Sequence, residues 1–139
     1  MQAAHCKLII NKDVRPNFLM HTQSQIYLVD WGSATLQQNA PYEGTIHYAS
    51  VGVLQQLTRN LDRVEVGPAD DLESLVASMF CIIHPDAHSQ LQKVEKLPMP
   101  VMQWWTQTWR PRPQWQLALR AARAANHDSV GDCLLALLE

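Results

Sequence analysis

The stretch from Asp70 to Ile83 places apolar residues at 72, 75, 76, 79, 80 and 83. That is the spacing of one helix face, and a face of that length must be buried against other elements. The pattern predicts a helix over 70–83 at the centre of a core. Asp70 would be its N-cap, Glu73 would complete a capping box three residues on, and Pro85 would end it. The chain beyond repeats the signal. Val101, Trp105 and Trp109 recur at four-residue spacing, Pro113 opens a further helix with Trp115 and Leu119, and Ser129 with Asp132 begins a last one carrying Val130, Cys133, Leu134, Leu137 and Leu138. A helix also fits 88–96, and a short one 51–57. This succession predicts a mainly α fold, and 139 residues with 47% hydrophobic content form a single domain able to bury a core.

One stretch breaks the helical pattern. Residues 11–32 read NKDVRPNFLMHTQSQIYLVDWG, in which Phe18 to Met20 and Ile26 to Val29 are rich in strand-forming residues and HTQSQ fits a five-residue hairpin loop. A short β-hairpin there would bring Asp13 and Asp30 to the same edge. With the Asn17 amide they would offer oxygen ligands of the kind Mg2+ prefers. Two aspartates that merely cap turns satisfy the same spacing.

HCKLIINKDVRPNFLM, from His5, resembles the catalytic loop of eukaryotic protein kinases, most closely the casein kinase 1 family, and YLVDWGSA resembles the metal-binding D-F-G turn that follows it. Two more matches come downstream in the family's order. GTIHYAS, Gly44 to Ser50, resembles the substrate-binding loop, and ADDLESL, Ala69 to Leu75, resembles the start of the central large-lobe helix. The resemblance covers Ala4 to about His84. It implies a protein-kinase-like large lobe lacking the small lobe, with 1–139 as a single partial domain. It further implies transfer of the ATP γ-phosphoryl group to a Ser or Thr hydroxyl of a protein substrate. In that assignment Asp13 accepts the hydroxyl proton, Arg15 stabilises phosphate charge, Thr45 lines the substrate loop and bonds back toward Asp13, and Asn17 and Asp30 hold Mg2+ beside ATP. Asp71 corresponds to the aspartate that anchors the catalytic loop from beneath.

The chain departs from the family at several of these positions. Asn11-Lys12-Asp13 stands for H-R-D, so the histidine's packing role is lost, and Lys12 replaces an arginine's bidentate fork with a point charge. Asn17 follows Asp13 by four positions where the family has five. The lost residue falls in 14–16 if the strand register is kept, and it shortens the chain's reach by up to about 3.5 Å. Trp31 replaces the usual Phe as a larger apolar plug, and His47 replaces an arginine. The five glycines, at 32, 44, 52, 67 and 131, contain no G-x-G pair to cover nucleotide phosphates. Negligible kinase activity is therefore expected of the chain alone. The alternative is a pseudokinase-type protein-binding module without catalysis.

Charge and composition narrow the partners. A net charge of −2 without a basic run argues against nucleic acid, leaving a protein substrate or protein partner. Cysteines at 6, 81 and 133 suggest buried thiols rather than disulfides or a zinc cluster. The first ten residues do not fit a signal peptide, and no segment reaches the roughly 18 apolar residues of a membrane span. An intracellular protein, cytoplasmic or nuclear, is expected. Ser33, Thr35 and Tyr42 lie in a polar loop as phosphorylation candidates. Four tryptophans between 104 and 115 suggest an exposed aromatic patch.

Overall fold

The computed structural model describes residues 1–6, 9–16, 19–22, 25–28, 31–37, 39–61 and 63–138. It is mainly helical. Helix α1 (Gln2–Cys6) leads toward the hairpin β1 (Leu19–Thr22) and β2 (Gln25–Leu28), followed by β3 (Asn39–Ala40), a 3-10 turn (Ile46–Tyr48) and α2 (Val51–Thr58). After β4 (Val64–Glu65) come α3 (Pro68–Ile83), α4 (Pro85–Gln92), α5 (Pro98–Trp109), α6 (Pro113–Arg123) and α7 (His127–Leu138). No helix among the described residues is long and apolar enough to cross a membrane.

Helix α3 lies at the centre, as its apolar stripe requires. Leu72, Val76, Met79 and Phe80 are buried, against α6 and α7 on one side and α4 on another. Its start differs from the expected one. Gly67 is the N-cap in extended backbone and Pro68 takes the first helical position, where its missing N–H costs nothing. Asp70 therefore sits at the third position, and its carboxylate reaches back to accept the Gly67 amide at 2.7 Å. It also accepts the Ser50 hydroxyl at 2.6 Å. Burial pushes the Asp70 carboxyl up, opposed by these two hydrogen bonds. Glu73 is released from any capping box. Its carboxylate instead accepts the Val51 amide at the start of α2 and the Arg123 Nε at the end of α6, tying three helices together.

The tryptophans are a core rather than a surface. Trp105, Trp109 and Trp115 are buried around Phe80, with ring centroids 6.0, 5.0 and 5.2 Å away in edge-to-face arrangements. Trp105 and Trp109 stack at 4.8 Å, and the Arg112 guanidinium lies 5.2 Å from the Phe80 ring centre. Four-residue spacing on α5 puts both indoles on one face, and α3 supplies the ring they enclose.

Other boundaries move. Pro85 ends α3 but also opens α4, which stops at Gln92 rather than beginning at His88. Helix α7 begins at His127, two residues before Ser129. Thr22 pairs with Gln25 and Leu19 with Leu28, so the paired strands extend into the HTQSQ segment expected to be loop. The polar segments 33–43 and 58–67 each contribute a two-residue strand, β3 paired with β4. Cys81 is buried, and burial pushes its thiol up to about 12, whereas Cys6 is exposed. Trp31 is 36% exposed and does not act as a plug within this chain.

Candidate functional site

The site is built from the first turn of α3 outward. Asp71 is 1% exposed, and its carboxylate accepts the backbone amides of Asn11 at 2.7 Å and Lys12 at 2.9 Å. Lys12 adopts a positive φ of 70°, which turns the chain sharply just after these two amides. Asn11 is buried as well, and its side-chain oxygen accepts the Asp13 amide at 2.9 Å. The backbone amides of Asn11, Lys12 and Asp13 are thereby all held from below.

A third ligand to Asp71 is legible in no motif. His5, on α1, places Nε2 2.9 Å from the Asp71 carboxylate, and its Nδ1 lies 2.7 Å from His127 Nε2 on α7. With both rings neutral, His5 donates to Asp71 and accepts from His127. An imidazole therefore does pack at this point, although the H-R-D histidine is replaced by Asn11. It comes from 66 residues before Asp71, and no local spacing links the two.

Asp13 faces the segment from Gly44 to Ser50. Its Oδ1 accepts both the Thr45 amide at 3.0 Å and the Thr45 hydroxyl at 2.9 Å. Arg15 Nη1 donates to the same hydroxyl at 3.2 Å, and Arg15 Nε lies 3.8 Å from Asp13 Oδ2. Asp13, Arg15 and Thr45 thus converge across 30 and more residues of sequence. Gly44 permits this approach. A Cβ there would overlap the Lys12 carbonyl oxygen and the Tyr42 hydroxyl. Asn17 and Asp30, the residues expected to hold Mg2+, lie outside the described residues.

The surrounding groups lock the loops together. Lys12 Nζ donates to the Pro41 carbonyl at 3.3 Å. Burial and the carboxylates of Asp13, Asp70 and Asp71 push the Tyr42 phenol well up, which keeps it neutral. Thr35 spends its backbone on Ile10 and its hydroxyl oxygen on the Gln37 amide. His47 is buried, with Nε2 2.9 Å from the Val94 carbonyl and its own carbonyl accepting Trp105 Nε1 at 2.8 Å. It pins the loop to the α4–α5 corner. Beside it Arg15, Pro16, Thr45, Tyr48, Gln92 and Lys96 help line a cavity of about 320 Å3.

Two imidazoles make folding sensitive to acid. Desolvation and the neighbouring His5 lower the pKa of His127, and desolvation and His47 lower that of His88, whose Nε2 meets the Tyr48 hydroxyl at 2.7 Å. Since both are held below the ordinary value of 6.5, the unfolded chain takes up protons first as pH falls. Stability is expected to be full above pH 6.5 and to decline as pH drops through the lowered values. Urea unfolding between pH 8 and 5 measures this, and a His88→Gln/His127→Gln chain should show a shallower decline. Comparison of the chain with protein-family models, with curated proteins and with solved structures finds no match.

Proposed function

We propose that the chain is a protein-kinase-like large lobe of the casein kinase 1 type. Its reaction, when a small lobe completes it, is transfer of the ATP γ-phosphoryl group to a protein Ser or Thr hydroxyl. The observation that carries this reading is the Asp13 carboxylate, oriented by both Thr45 donors and flanked by Arg15, while Thr45 and Arg15 themselves line an open cavity. A carboxylate so placed can take the proton of an entering hydroxyl as its oxygen forms the new bond to phosphorus and the bond to the leaving diphosphate breaks. Arg15 and Lys96 on the cavity wall favour substrates that carry negative charge beside that hydroxyl. Asn17 and Asp30 would hold Mg2+, which together with ATP supplies the phosphoryl group and neutralises its developing charge. The four-residue spacing from Asp13 to Asn17 favours a second reading, a pseudokinase-type module that binds a protein partner without catalysis.

The 139-residue chain alone is expected to incorporate no labelled phosphate from ATP into casein above the level of its Asp13→Ala variant. Fused to a casein kinase 1 small lobe, it should phosphorylate casein, and Asp13→Ala should lower that rate by about 10²–10⁴-fold. A folded fusion that stays silent and shows no Mg2+-dependent melting shift with ATP would reject the catalytic reading in favour of the binding module.

A further inference from the structure

The corner between α5 and α6 carries a second feature. Between Glu95 and Asp128 the sequence contains four arginines and no carboxylate, although the chain as a whole is net negative. The fold gathers three of the four. Arg110, Arg120 and Arg123 line a cleft of about 440 Å3 whose floor includes Trp109 and Leu119. Glu73 answers Arg123. Arg110 and Arg120 are exposed, and their guanidinium groups have no hydrogen-bond or ion-pair partner among the described residues.

The cleft is preformed. Gln116 Nε2 donates to the carbonyls of Trp109 and Arg110 at 2.6 and 3.0 Å, and Arg112 Nη1 donates to the Thr108 carbonyl at 2.6 Å. These bonds fix the turn between the two helices, so little ordering remains to be done on binding. Arg120 and Arg123 are one turn apart on α6, about 4.5 Å along its axis, and Arg110, just past the end of α5, lines the same cleft. Cations supplied from two helices suit carboxylates spaced along a chain better than one compact anion, and guanidinium is the group that pairs carboxylates bidentately. The chain's overall negative charge disfavours the extended phosphate surfaces of nucleic acids and acidic membranes.

We infer that the α5–α6 cleft is a docking site for an acidic peptide segment of a partner protein, with carboxylates on Arg110 and Arg120 and an apolar side chain over Trp109 and Leu119. The inference rests on this corner alone and stands apart from the catalytic reading. Fluorescence polarisation tests it with a fluorescein-labelled dodecapeptide of Glu, Asp and Ser around one central Leu. Saturable binding is expected, weakening with added salt and falling at least about tenfold in an R110E/R120E chain. Arg59→Glu and Lys93→Glu, remote exposed cations, should leave it unchanged. Circular dichroism melting checks folding, and R110Q/R120Q serves if the charge reversal unfolds the chain. Absence of saturable binding, indifference to both double variants, or equal binding of polyuridylate or of phosphatidylserine vesicles would overturn the inference.

Discussion

Replacing Asp71 with alanine is expected to destabilise the chain by about 3–5 kcal/mol, the usual cost of removing one partner from a buried charged network. The carboxylate is 1% exposed and serves three donors from two other segments: the amides of Asn11 and Lys12 and the His5 ring. Alanine would leave these donors buried and unpaired, and each such group costs about 1–3 kcal/mol. Asp71→Asn keeps the shape and one acceptor oxygen but turns an NH2 group toward a donor. Its loss should be smaller, about 1–3 kcal/mol. Urea unfolding curves compare the two. A loss below about 1 kcal/mol for alanine would mean that the loop does not depend on this carboxylate. The same variant should also loosen Asp13, since Asn11 orients the Asp13 amide and is itself held by Asp71.

Phe80→Ala is expected to cost about 3–5 kcal/mol and to lower the melting temperature by roughly 10–20 °C. Phe80 is fully buried, and its ring meets three indoles and the His84 ring, 4.6 Å away. Truncation would leave a cavity walled by large rigid rings that cannot collapse into it, placing the cost toward the upper end of the range. Arg112 would lose the aromatic face it covers. Phe80→Leu, which retains most of the volume, should lose under about half as much. Tryptophan emission during thermal unfolding reads both variants directly, because the indoles are the walls of the site.

The difference between the two predictions reflects how each residue could be recognised. Phe80 belongs to an apolar period that one segment carries complete, so its burial follows from local sequence. The same is true of Val101, Trp105 and Trp109 on α5 and of Trp115 and Leu119 on α6, all of which are buried. Asp71 is an ordinary first-turn acid by position. Its load comes from residues 59 and more positions away; its place in a family-like motif pointed only to the loop backbone, and nothing pointed to His5.

The corrections have a common cause. Asp70 is no N-cap because Pro68 is preorganised for the helix and starts it earlier, a matter of competition between neighbouring caps. Strands β3 and β4 are two residues long each, too short for alternation to show, and exist because their partners meet. The tryptophans looked exposed because no local signal says that α3 lies over them. His5 and His127 sit at opposite ends of the chain, and their contact arises from the docking of α7.

Which faces are apolar and roughly where the helices run could be read from the amino-acid order, because periodicity and turn chemistry are local properties. The tertiary structure alone decided that Asp13 meets Thr45 and Arg15, that Asp71 gathers His5 with two backbone amides, and that three arginines share one cleft. Hydrogen bonds and charge clusters depend on distances between segments, and those distances exist only once the apolar faces have packed.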